Sequence, residues 1–247
     1  MRKWTLLVAC LVCFAAPARA DTLFGIYAGY GSWHHDSTGD ISSAGDGLDL
    51  EEDLALGDDE DDVYYIELEH SLPLLPNIRA QHSSYGSDGA AEAGRTLVFN
   101  DLTLNPPAGF ETDIFVEQTD LILYYKLLDS VVGLDVGIGA RSAEGEVTIR
   151  SSLASTEVDF DETLPLLYTR VRMDLLGGWW ASADVMGMSY DGNELLDGSA
   201  LLGWQSPWGL GLEAGYRWVR LRLDEVGDID EAAIDFQGPY AALNFRF

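Results

Sequence analysis

The sequence predicts an all-β fold, a transmembrane antiparallel up-and-down β-barrel of ten strands, and three observations predict it. Segments with an apolar/polar period of two recur along residues 23–247, the connections between them alternate long and short, and the chain ends on a strand that stops at an aromatic. Successive strand residues face opposite sides, so each segment has one greasy and one polar face. A membrane barrel has an even number of strands, short turns on the side where its termini lie and longer loops on the other.

Residues ahead of the first strand carry an export signature. Arg2-Lys3 precedes an apolar run over residues 4–16, and Ala18-Arg19-Ala20 offers small residues before Asp21. This predicts a signal peptide over residues 1–20, cleaved near Ala20-Asp21. The run is too short to span a membrane as a helix. Both cysteines, Cys10 and Cys13, leave with it, so the barrel domain, residues 21–247, has no thiol for disulfides or metals. Of 14 basic residues, Arg2, Lys3 and Arg19 also leave, and 11 then face 42 acidic residues, a formal charge of −31. Nucleic acid is excluded as a partner, because phosphate binding needs a basic face.

The first strand alternates Phe24, Ile26, Ala28 and Tyr30 with Gly25, Tyr27, Gly29 and Gly31. Residues 34–62 read as a long polar external loop. A second strand then sets Tyr64, Ile66 and Leu68 against Tyr65, Glu67 and Glu69, and a tight return at residues 72–77 leads to a third over residues 78–85, its apolar face diluted by His82 and Ser84. Residues 86–112 read as the second long loop, since Pro106-Pro107 cannot pair in a sheet interior. The fourth strand opposes Phe115, Thr119, Leu121, Leu123 and Tyr125 to Gln118, Asp120, Tyr124 and Lys126. The fifth opposes Val132, Leu134, Val136, Ile138 and Ala140 to Gly133, Asp135, Gly137, Gly139 and Arg141, almost without error in its period.

Residues 143–163 read as a third long loop, in which Val147-Thr148-Ile149 and Val158-Asp159-Phe160 allow a hairpin beyond the membrane. Strand six places Leu167, Thr169, Val171 and Met173 against Tyr168, Arg170, Arg172 and Asp174. Strand seven places Trp179, Ala181, Ala183 and Val185 against Ser182, Asp184, Met186 and Met188, and strand eight places Leu196, Ala200, Leu202 and Trp204 against Asp197, Ser199 and Gln205. In strand nine Leu210, Leu212, Ala214, Tyr216 and Trp218 oppose Gly211, Glu213, Gly215 and Arg217. The apolar phase then shifts to Val219, Leu221 and Leu223, which predicts a β-bulge near residues 217–219. The last strand sends Ala241, Leu243, Phe245 and Phe247 to lipid and Tyr240, Ala242, Asn244 and Arg246 inward, with Pro239 removing one ladder donor.

The closing strand, through Tyr240, Leu243, Phe245 and the terminal Phe247, resembles the signal by which the barrel-assembly machinery of Gram-negative bacteria recognises its substrates. Residues 123–129, 134–141, 209–217 and 235–240, the last containing Gly238-Pro239-Tyr240, look like a family of small Gram-negative outer-membrane β-barrel proteins. The resemblance covers residues 120–247 and the first strand. It implies the barrel fold, the outer membrane as location and its lipid as partner, and it carries over no catalytic or ligand residue.

Strand phase gathers charge in the lumen: Asp120, Lys126, Asp135, Arg141, Arg170, Arg172, Asp174, Asp184, Glu213, Arg217 and Arg246, joined by Glu67, Glu69, Asp197, Arg79, Arg220 and Arg222. Ten strands enclose little more room than eight, whose side chains nearly fill the bore. These groups therefore form either a hydrogen-bonded plug or the lining of a narrow cation-preferring channel, and both demand pairing, since an unpaired charge out of water is costly. In the first loop Asp58, Asp59, Glu60, Asp61 and Asp62 are weak candidates for divalent cations, which favour carboxylate oxygens. Their spacing is not that of a calcium-binding EF-hand loop, and a solvated acidic loop is the favoured reading.

No cofactor is expected. Enzymatic chemistry would need a histidine beside a carboxylate or a serine nucleophile. His34-His35, near Asp36, is the one placement suited to a barrel-rim hydrolase; His70 lies by a turn, His82 adjoins Ser83, and Gly-x-Ser-x-Gly is absent. Trp179, Trp180, Trp204, Trp208, Trp218, Tyr124, Tyr125, Tyr216 and Tyr240 read as interfacial girdles. The expected role is non-enzymatic, structural or surface-interacting, with a plugged lumen.

Overall fold

The computed structural model describes residues 24–45, 47–72, 74–226 and 229–247; the expected signal peptide and both cysteines lie outside the described residues. Ten long strands follow in order: β1 (Phe24–Ser42), β2 (Asp58–His70), β3 (Asn77–Glu92), β4 (Gly109–Leu128), β5 (Val132–Ser151), β6 (Ser155–Asp174), β7 (Trp179–Tyr190), β8 (Asn193–Gln205), β9 (Leu210–Val226) and β10 (Ile229–Arg246). Each pairs antiparallel with its predecessor, and β10 pairs with β1 from Tyr27↔Arg246 to Ser42↔Glu231, closing the sheet into a barrel.

The closing seam carries the chain's last residue. The Phe247 amide donates to the Ile26 carbonyl at 2.9 Å, and the Phe245 and Phe247 rings meet edge to face at 4.6 Å. The ladder skips between Trp33↔Tyr240 and Asp36↔Gln237, where Pro239 has no amide to give. Gly238 lets the strands approach there, since a Cβ would lie 2.0 Å from the His34 carbonyl oxygen. Deleting Phe247 is expected to lower the amount of assembled protein in the outer membrane, measured by heat-modifiable mobility of membrane fractions; an undiminished yield would contradict the role given to this strand.

β4, β5 and β6 each run for 20 residues, about twice the 9–11 that a tilted strand needs to cross a bilayer. Their outward faces show where the crossing ends. On β5 the outward residues are Val132, Leu134, Val136, Ile138 and Ala140, followed by Ser142, Glu144 and Glu146. On β4 they run from Tyr125, Leu123 and Leu121 to Glu117, Asp113 and Glu111. An apolar outer belt on a closed barrel with polar groups within is the arrangement of a membrane-spanning barrel. The described residues form a membrane-spanning barrel whose strands continue well beyond the apolar belt.

Beyond the belt the two faces exchange character. Trp33, Val63, Tyr85, Ile114, Val116, Val147, Ile149, Val158, Val219, Ile234 and Phe236 are buried inside the upper barrel, while acids occupy its outer surface. Water now surrounds the wall, so apolar groups turn inward as in any soluble domain. Two inserts cap this core. Residues 43–57 bring in Leu48, Leu50, Leu54 and Leu56; residues 93–108 bring in the hairpin Leu97–Phe99 and Leu102–Leu104. The Asn100 amide bonds the Ser43 carbonyl at 2.7 Å, and Arg95 holds Asp53 at 2.5 Å, tying one insert to the other.

Several expectations are corrected by this arrangement. The stretches 34–62 and 86–112 are largely strand, because most of their acids sit on the outer face of extended hairpins, and 143–163 is the hairpin that its β-rich residues allow; only the two inserts are loop-like. No register shift occurs at residues 217–219: β9 pairs continuously there with β8 and β10, and the apparent phase change is the exchange of faces. The irregularity lies instead on β4, between Lys126 and Leu128. Arg220 and Arg222 consequently point outward, where both pair with Asp235 at 3.1 and 2.8 Å. Tyr124, Tyr240 and Trp180 are buried inside the barrel and are no part of the outer girdle.

Candidate functional site

The lumen is crossed by a layer of ions built from opposite walls. Arg141 on β5 grips Asp120 on β4 with two parallel bonds, Nε to Oδ1 at 2.7 Å and Nη2 to Oδ2 at 2.8 Å. The same Nη2 reaches Asp197 Oδ2 on β8 at 2.8 Å, and Arg217 Nη2 on β9 meets that oxygen, also at 2.8 Å. Arg217 lies 4.6 Å over the Trp33 ring on β1, and its Nη2 donates to Ser83 Oγ on β3 at 3.3 Å. Gln118 and Tyr85 complete the layer: Gln118 Nε2 donates to Ser83 Oγ at 3.0 Å and Tyr85 OH to Gln118 Oε1 at 3.1 Å.

Six of the ten strands contribute to this layer, and two cations face two anions. The side chains of Arg141, Asp120, Asp197 and Arg217 are 1%, 1%, 2% and 5% exposed. Bidentate, charge-assisted bonds of this kind are strong and geometrically specific. They must be, because each ion is removed from water on all sides.

A second network lies nearer the chain termini. Arg170 on β6 reaches Glu67 on β2 through Nη2 at 2.6 Å and Nη1 at 3.0 Å, and holds Asp135 on β5 through Nε at 2.8 Å. Arg79 adds a longer contact to Glu67, 3.5 Å, and lies 4.6 Å over the Tyr65 ring. Tyr124 donates its hydroxyl proton to Glu67, and Lys126 pairs with Glu69 at 2.7 Å. Glu213 accepts from Tyr65 OH at 3.2 Å, Tyr240 OH at 3.2 Å and Asn244 Nδ2 at 2.9 Å, while Asp184 accepts from Ser199 Oγ at 2.8 Å. Arg172 pairs with Asp174 at 3.1 Å and stacks on Trp180, and Arg246 lies over Tyr27. Glu67, Arg79, Arg170, Arg172, Asp184, Glu213 and Arg246 are among the side chains that line a polar vestibule of about 520 Å³ at the end where β1 begins.

Strand phase places Asp120, Arg141, Arg217, Asp135 and Arg170 alike in the lumen, without dividing them between the two networks. It did not reveal Ser83, Tyr85, Gln118 and Trp33 as their partners, since which opposing walls meet depends on barrel closure. The acids Asp58, Asp59, Glu60, Asp61 and Asp62 are in β2 and alternate faces, so they cannot converge on a cation. Outward, Asp58 pairs with His34, Glu60 accepts from Ser32 and Asp62 from Tyr30; inward, Asp61 meets His35 Nε2 at 3.1 Å. Among the described residues no group of three His, Cys, Asp or Glu side chains is placed to hold a metal.

The histidines are separated in the same way. His35 is enclosed by Trp33, Tyr85 and Phe236, with ring centroids 4.6, 6.4 and 5.6 Å away. His82 stacks on Tyr64 outside the barrel and bonds Thr119 Oγ1 at 2.9 Å, and His70 Nε2 lies 3.0 Å from the Pro76 carbonyl. The expected rim pair His34-His35 is therefore divided by the wall.

No family model and no curated protein matches the chain. Among solved structures it is similar to the outer membrane protease OmpT from Escherichia coli, at 12% identity over 91% of this chain and 96% of that one, with a TM-score of 0.45. It is similar also to the transport unit of the autotransporter AIDA-I from Escherichia coli, at 7% identity over 94% and 92%, TM-score 0.43. A third is Ail, the attachment invasion locus protein of Yersinia pestis, in complex with the heparin analogue sucrose octasulfate, at 9% identity over 90% and 99%, TM-score 0.38. At such identities and scores no site or activity transfers from them.

Proposed function

We propose that the protein is an integral outer-membrane barrel without a through-pore, acting non-enzymatically through the half that stands outside the lipid. The observation that supports this reading is the ion layer of Arg141, Asp120, Asp197 and Arg217, whose buried pairs lie across the lumen. An ion crossing here would have to break bidentate pairs held out of water, a cost of several kcal/mol.

The outer surface of the upper half supports a contact role. Glu117, Glu144 and Asp161 lie directly opposite one another across β4, β5 and β6, and Glu146 and Asp159 continue the acidic field. Such a surface suits a cationic protein partner, with divalent cations as diffuse counter-ions. Hydrolysis is disfavoured because His35, the one histidine with a close inward carboxylate, is fully enclosed by aromatic rings.

Refolded protein in a planar bilayer under a salt gradient is expected to give no discrete conductance steps. Cation-selective steps from protein shown to be folded would instead establish the narrow channel, with the inward acids as its lining.

A further inference from the structure

The upper barrel is notched. The β7–β8 hairpin turns at Asp191-Gly192, both with positive φ, so its two strands end well below their neighbours. β6 pairs with β7 only over residues 167–174, and residues 155–166 have a sheet partner on the β5 side alone. Behind the notch is a cavity of about 230 Å³.

Its walls are apolar. Five side chains that border the core without being fully buried, Phe160, Leu164, Met188, Leu221 and Leu223, all line this one cavity, with Leu195 behind them. Arg141 and Gln118 form its floor, and both are committed to the neutral ion layer. Glu162 and Glu194, both exposed to water, stand in its lining.

We propose that this cavity is a binding site for a small uncharged apolar molecule, an aromatic ring with a short alkyl substituent or a compact branched alkane. Leaving these five side chains partly wet costs stability that packing or a ligand would recover. An apolar cavity of ~150 Å³ holds benzene, so by proportion this one holds about nine non-hydrogen atoms. A carboxylate-bearing molecule of the same shape would lose its hydration on entering, and the Arg141 charge that could offset this is already shared between Asp120 and Asp197. The site goes beyond the pore-free reading, and binding is read independently of conductance.

The test is methyl NMR of the barrel in lipid nanodiscs, with leucine and methionine methyls labelled and ethylbenzene as the probe. The methyls of Leu164, Met188, Leu221 and Leu223 are expected to shift saturably, while lipid-facing Leu167 and Met173 report only partition into the bilayer and shift in proportion to concentration. Phenylacetate is expected to bind at least tenfold more weakly. Leu164→Trp, which fills the cavity, should abolish the saturable shift at Met188 and Leu221; Leu223→Trp serves if that variant does not fold. Proportional shifts at the cavity methyls, binding that survives both tryptophans, or equal binding of phenylacetate would each overturn the proposal.

Discussion

Replacing Asp197 by alanine is expected to destabilise the folded barrel by about 3–5 kcal/mol, the cost of stripping one partner from a buried ion pair. Asp197 Oδ2 accepts from both Arg141 and Arg217 at 2.8 Å, so one carboxylate serves two guanidiniums. Arg141 keeps Asp120 after the change. Arg217 does not fare as well: its remaining contacts are Ser83 and the Trp33 ring, neither of which carries a compensating charge. The layer would pass from neutral to one net positive charge. Adding Arg217→Met removes that charge and should recover most of the loss, since a methionine of similar length packs on Trp33. Urea unfolding of vesicle-refolded protein measures both variants. A loss under about 1 kcal/mol, or a double variant no better than the single, would mean that water already reaches the layer and that the bore is open.

The lower half of the barrel was legible in the sequence because one rule holds through most of it: apolar side chains face lipid and polar ones the lumen, with Ile122 and Trp180 as inward exceptions. That rule alone put Val132 through Ala140 outside and Asp135 and Arg141 inside, where the structure has them. The upper half obeys the opposite rule, and nothing local marks the height at which the rules change. Val219 and Leu221 follow Arg217 on the same inward face, yet read with the lipid rule they demand a bulge. Acidic residues 144, 146, 157, 159 and 161 look like an external loop for the same reason, since with the apolar face assigned to lipid only Val147-Thr148-Ile149 and Val158-Asp159-Phe160 hint at the hairpin they belong to. The ion layer was half legible. Its members' facing follows from parity, but the meeting of Arg141 on β5 with Asp197 on β8, and of Arg217 with Ser83, is set by how ten strands close, which no periodicity encodes.

The exchange of faces along a single strand makes an arginine on the outer surface of β5 harmful at one height and beneficial at another. Val136 lies in the middle of the outward run from Val132 to Ala140, between Tyr125 and Thr169 on the neighbouring strands. That run of nine residues, tilted as barrel strands are, covers roughly the 25 Å of an apolar membrane band, so Val136 sits near its midplane. Val136→Arg is expected to cost about 2–4 kcal/mol, the penalty for arginine facing lipid at that depth. Glu144 faces outward on the same strand, directly opposite Glu117 on one side and Asp161 on the other. Like charges opposite one another across a sheet destabilise it, and Glu144→Arg turns two repulsions into two attractions, a gain of roughly 0.2–1 kcal/mol per pair. The gain should shrink in high salt, which screens charges exposed to water, while the Val136→Arg loss should not. Equal losses for the two arginines would place both positions in lipid, and the upper barrel, with its core and its cavity, would then lie within the membrane rather than above it.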